Sequence, residues 1–299
     1  MKTLVVGQVT HDLYEGEFVP GGCAFYGAQV HRRMSGETHL VSVVGEDFQC
    51  DQAISEIEAT VIRQGETTVF ANYYPDQGPR QQLLVASAPA VTPEMAPPKW
   101  LEADLVHLAP VFGEIDLQAW KKAVGQGLLA INVQGWLKYR GSKIDPQKLE
   151  NLQRRGLSGA AHRVVHRPWQ VGSSDLEGVD VVCLSEEDLI GQTRLLPRLV
   201  EAVPVVALTL GERGSRIFVD GKERARIGIY PTEAVDPTGA GDVFAAAMVH
   251  RLAGGDDPVE AARYGAAAAS VVIEGQGPDA LGGLSQLEKR VNRISASVV

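Results

Sequence analysis

VDPTGAGDVFAAAMVHRLAGG, residues 235–255, places two acids around a Gly-Ala-Gly turn and follows them with a run of small apolar residues. The run suits a closely packed helix, so the turn is a helix start. Glycines there let the backbone take positive φ and approach a ligand. The first N–H groups of the helix lack intrahelical partners, and the helix dipole adds positive potential. Such a turn can hold a phosphoryl group. Asp242 alone could be a helix-stabilising acid. Beside a phosphate site it could also take the proton from an attacking hydroxyl.

Around this turn the chain alternates strand and helix. LVVGQV (4–9) and HLVSVVGEDF (39–48) read as buried strands, with GAQVHRRMSG (27–36) as a helix closed by Gly36. The same order returns in ADLVHLAP (103–110), a helix over 116–127, LLAINVQ (128–134), VDVVCLS (179–185), a helix over 186–202 and PVVALTLG (204–211). This order predicts βαβ units and a parallel sheet. Residues 60–90 break it: TTVFANYY and RQQLLVASA flank the turn PDQGP (75–79), which predicts an antiparallel insertion. GSRIFVDGKERARIG (214–228) predicts a hairpin at Asp220-Gly221. Asp257-Pro258-Val259-Glu260 carries the start signals of a last long helix. Residues 135–175 carry no clear pattern.

The 299 residues are 44% hydrophobic and 22% charged, with a formal net charge of −9. That composition is globular. No basic stripe is present, which argues against a nucleic-acid partner. Three scattered cysteines fit buried thiols of a cytoplasmic protein better than a disulfide framework. The apolar stretch of MKTLVVGQVTHD is far too short for a secretory signal, and no stretch suits a membrane span. There is no Walker A loop. A nicotinamide-dependent oxidoreductase would need a glycine fingerprint after the first strand, where GQVTHD supplies one Gly.

D-x-T-G-A-G-D at 236–242 resembles the signature of the ribokinase (PfkB) family of carbohydrate kinases. GGCAFYGAQ (21–29), VVGEDF (43–48) and TLGERG (209–214) resemble further family segments in the right order, so the resemblance spans about residues 4–278. It implies a ribokinase-like α/β three-layer sandwich over 1–299 with a mostly parallel central sheet. Small β lid segments are expected near 12–22 and 60–90. It also implies phosphoryl transfer from ATP with Mg²⁺ to a hydroxyl of a sugar, nucleoside or polyol.

Carried over by position, Asp242 matches the catalytic base, and Gly239, Ala240 and Gly241 match the anion hole. Thr209, Gly211, Gly214, Gly275 and Gly277 match nucleotide-side positions. Asp12, Gly21, Gly22 and Tyr26 match the acceptor side, where an ionised carboxylate can accept from two hydroxyls. Tyr26 stands where many members have Asn, which implies an acceptor other than ribose. Ser185 and Asp188 stand in the segment that organises Mg²⁺ through water. Asp236 and Thr238 match a site for a monovalent cation such as K⁺ in some members, and a turn-capping pair otherwise. VVGQVTHD (5–12) and INVQGWLKYR (131–140) look like the branch containing myo-inositol kinases. That adds Gln134, Arg140 and the lid residue Arg80 to the acceptor side, with myo-inositol the favoured acceptor. A sugar or nucleoside kinase, or a silent kinase-fold metabolite binder, are the alternatives. Monomer or homodimer through the lid are both open.

Overall fold

The computed structural model describes residues 1–14, 17–34, 36–73, 81–144, 160–275 and 277–299. Its main sheet has ten strands. From one edge they run β16 (Ala296–Val298), β15 (Lys222–Ile227), β14 (Ser215–Val219), β13 (Val205–Thr209) and β12 (Val181–Ser185). They continue as β9 (Leu128–Asn132), β8 (Leu105–Leu108), β1 (Lys2–Val6), β4 (Glu37–Val44) and β5 (Glu58–Arg63). From β13 to β5 every pairing is parallel, and β14, β15 and β16 add an antiparallel edge.

Strand residues alternate between two cores, as the period of two requires. Val5, Leu40 and Val181 face one core with α1 (Cys23–Arg33), α4 (Ala240–Ala253) and α5 (Pro258–Val272). Val6, Val41 and Val182 face the other, with Trp120 of α2 (Leu117–Ala123) and Leu199 of α3 (Leu195–Ala202). The result is the expected helix–sheet–helix sandwich. The start of α5 is as read: Asp257 Oδ1 accepts from Val259 N–H at 2.9 Å and Pro258 follows. Asp220 and Gly221, with φ of 47° and 81°, turn the β14–β15 hairpin.

A second sheet of six strands covers one end. Its order is β10 (Lys138–Ile144), β11 (Ala161–His166), β7 (Gln81–Ala86), β6 (Val69–Tyr73), β2 (Thr10–Tyr14) and β3 (Glu17–Gly21). It differs from the expected insertion in two ways. The strand Glu58–Arg63 pairs in parallel with β4 and belongs to the main sheet. The illegible stretch instead supplies β10 and β11, whose edge position leaves β10 half solvated and without a clean hydrophobic alternation. Two helices also differ. The first begins at Cys23, because Gly22 with φ +93° breaks the strand and starts the helix. The helix expected over 186–202 is a 3-10 turn (Glu186–Leu189) and then α3, separated at Gly191, whose φ is +75°.

Three histidines join a helix pair to the sheet. His250 of α4 meets His31 of α1 at 3.1 Å, His31 meets His107 of β8 at 3.2 Å, and His107 meets Asn132 Oδ1 at 3.1 Å. The three cysteines are buried. Among the described residues, no helix is long and apolar enough to cross a membrane.

Candidate active site

The Gly-Ala-Gly turn caps α4. Gly239 is left-handed, with φ +79°, and a Cβ there would lie 2.7 Å from Tyr26 Cζ. Both the conformation and the ring therefore demand glycine. Gly241 is exposed, and a Cβ there would meet no atom within 4 Å. The turn is thus packed on one side and open on the other, as a docking place for an anion must be. Gly239→Ala should combine left-handed strain with collision against Tyr26, costing about 1–3 kcal/mol. A fall in thermal midpoint together with lost turnover checks this, and unchanged stability would contradict it.

Asp242 follows in the first turn of α4 and is half-buried. Its Oδ1 accepts from Gln134 Nε2 at 3.2 Å, and the same nitrogen touches Cys23 Sγ. Burial lifts the Asp242 carboxyl above the ordinary range; the Cys23 hydrogen bond and the Lys138 ammonium oppose this, and Asp188 adds to it. A raised carboxylate is a stronger base once ionised, which suits proton abstraction.

Tyr26 lies between the two ends of the site. It is buried, and its phenol is pushed up by that burial and then by the charges of Asp12, Asp242 and Asp236. Asp12 lies within β2 of the second sheet and accepts from Thr10 Oγ1 at 2.9 Å. Gly21 sits opposite on β3: a Cβ there would fall 2.3 Å from Asp12 Oδ2. Gly21 therefore makes room for the Asp12 carboxylate. At Gly22 a Cβ would strike the Gln8 carbonyl at 2.6 Å.

Other expected residues make contacts of their own. Arg140 donates to Ser87 Oγ at 3.2 Å on the exposed part of β10, and Arg80 lies outside the described residues. Thr209 ends β13 and donates to the Leu184 carbonyl at 3.3 Å; Gly211 next to it is left-handed, φ +59°, and open. Gly214 is required by the hairpin, since a Cβ would lie 2.0 Å from the Ile227 carbonyl. Gly275 packs on Ala280, and Gly277 opens a 3-10 segment, Gly277–Gln286.

The metal candidates hold their own turns. Asp188 Oδ2 accepts from Ser185 N at 2.7 Å and Ser185 Oγ at 2.9 Å, and Asp236 Oδ1 accepts from Thr238 N at 2.9 Å. Among the described residues, no group of three or more His, Cys, Asp or Glu is arranged to hold a metal. One carboxylate near Asp242 fits Mg²⁺ that keeps its waters and is bound mainly by phosphates, and not an all-protein cage.

Two residues of the cluster escaped the sequence reading. Cys23, the first residue of α1, looked only like a buried thiol. Lys138 follows Gln134 by one helical turn and starts β10, with Nζ 5.4 Å from the Phe70 ring centre. Its spacing from Gln134 was the available signal.

On this sandwich the site joins a half-buried carboxylate, Asp242, to the open start of a helix. The pfkB family carbohydrate kinase pattern matches residues 175–281. Inositol 3-kinase of Arabidopsis thaliana is 27% identical over 286 residues, covering 91% of this chain and 74% of that protein. Cytidine kinase of Thermococcus kodakarensis is 26% identical over 290 residues, covering 92% of this chain and 96% of that protein. A pyrophosphate-dependent kinase in the ribokinase family, solved as a sulfate complex, superposes with a TM-score of 0.75 at 19% identity. That match covers 94% of this chain and 99% of that one. These likenesses support a phosphotransferase acting on a sugar or polyol hydroxyl, with the pfkB pattern itself confined to residues 175–281.

Proposed function

We propose that the protein transfers the γ-phosphoryl group of ATP to a hydroxyl of a small polyol or sugar, with myo-inositol the favoured acceptor. The observation that carries the reading is Asp242 behind the open left-handed turn at Gly239-Ala240-Gly241. The inositol 3-kinase relative, alike over most of this chain, favours the acceptor. ATP suits the open turn at Gly211 after β13.

In this reading Asp12 accepts hydrogen bonds from acceptor hydroxyls and orients one of them toward the turn. Asp242 takes that hydroxyl's proton as its oxygen bonds to the γ-phosphorus, while the bond from phosphorus to the ADP oxygen breaks. The backbone N–H groups at the start of α4 bind the oxygens of the moving group. Mg²⁺, organised through Asp188 and water, would neutralise phosphate charge. Lys138, reaching in from the second sheet, would stabilise charge building up beside Asp242. Lys138→Met is expected to lower kcat by about a hundredfold. Steady-state kinetics decide it, and a change confined to acceptor KM would contradict it.

The cytidine kinase relative, matched over nearly its full length, supports a nucleoside acceptor as the second reading. One screen separates them: ADP release with ATP and Mg²⁺ over myo-inositol, pentoses, hexoses and nucleosides, with a parallel series in pyrophosphate read as phosphate release. Release with myo-inositol well above all nucleosides supports the first reading. The reverse order supports the second.

A further inference from the structure

Cys23 is buried at the start of α1, directly after the left-handed Gly22. Gln134 opens the short helical turn after β9. An amide NH₂ carries two hydrogens, so Gln134 can donate to Asp242 Oδ1 and Cys23 Sγ together. The thiol donates to the Pro110 carbonyl at 3.6 Å, and its sulfur is held against the Gln134 amide. Burial, with the Asp242 charge adding to it, pushes the Cys23 thiol up. Cys23 is therefore an S–H donor and not a nucleophile.

We propose that Cys23 and Gln134 are positioning residues that hold the Asp242 carboxylate in place for proton abstraction. The proposal rests on Asp242 being the general base. The Gln134 amide donates to the carboxylate and favours its ionised form, and Cys23, on a separate element, fixes where that amide sits. A purely structural glutamine at this bend would spend its amide on backbone carbonyls, as Gln8 does on those of Ala88 and Pro89. Here both contacts of Gln134 Nε2 are to side chains at the reacting end. The other groups facing Asp242 are Tyr26 of α1, Lys138 of β10 and Asp188 of the turn after β12. None of these is altered in the test.

The test is a pH titration of the aspartate side-chain carboxyls by ¹³C NMR on the full chain. The Asp242 resonance is the one missing in Asp242→Asn. Cys23→Ala and Gln134→Met should each raise the Asp242 midpoint by about one pH unit. Cys23→Ser keeps a donor and should return it close to wild type. With myo-inositol and ATP, kcat at neutral pH should fall about tenfold in the first two variants, with acceptor KM unchanged. Gln134→Met leaves α1 untouched, so it carries the test if Cys23→Ala does not fold. A midpoint unmoved in Cys23→Ala and Gln134→Met would overturn the proposal while the base role stands. Wild-type turnover by Asp242→Asn would remove the base role, and the proposal with it. The two failures are distinct, because the second leaves the titration shift in place.

Discussion

Replacing Asp242 with Asn should lower kcat by about 10²- to 10⁴-fold, the usual range for removing a general base. Asparagine has nearly the same shape and can still accept from Gln134 Nε2, so the start of α4 should hold. What it lacks is a site for the proton of the attacking hydroxyl. Because burial holds the Asp242 carboxyl high, removing it takes away an unfavourable desolvated charge. The variant should therefore fold at least as stably as the wild type at neutral pH. Kinetics and a thermal melt on one preparation check both halves. Lost activity with a lowered melting point would show a structural defect, and retained activity would show that Asp242 is not the base.

The second large effect is on stability in mild acid. Burial holds His107 and His250 down at about 4, and His31 well below its ordinary value. In the unfolded chain these imidazoles titrate near 6.5. Between about 6.5 and 4 the unfolded state therefore binds more protons than the folded one, and stability falls as pH falls. For His107 alone the loss by pH 4 is about 3 kcal/mol. The three rings share hydrogen bonds, so their protonations couple and their costs do not simply add. Glu114, whose burial raises its carboxyl, works in the opposite direction as pH falls. Urea midpoints between pH 7.5 and 5 should drop steadily in the wild type and more gently in His107→Gln. A flat profile in the wild type would contradict this account of the histidine chain.

The parts legible in the sequence were those with a strong local cause. Asp257-Pro258 started α5, Asp220-Gly221 turned its hairpin, and the valine-rich runs became the parallel strands. The glycine turn at the start of α4 was legible because glycine, helix start and acid fall within a few residues. Less legible was whatever depends on distant partners. β10 and β11 form a polar edge of the second sheet, and their pairing with β7 spans dozens of residues. Gly191 interrupts a region of good helix formers through its backbone alone. Cys23 and Lys138 gained meaning only when α1 and β10 were brought beside α4. Gly21 and Gly214 read as ligand-side glycines; the packing required at them comes from Asp12 and the Ile227 carbonyl.

The central claim is that this chain phosphorylates an alcohol with Asp242 as base. The most direct measurement is a ³¹P NMR time course of ATP, Mg²⁺ and myo-inositol with the protein. A phosphomonoester signal that grows in step with ADP, and is absent with Asp242→Asn, is the result this account expects. ATP left intact with myo-inositol and with every sugar and nucleoside substituted for it would contradict the account, as would an equal monoester signal from Asp242→Asn.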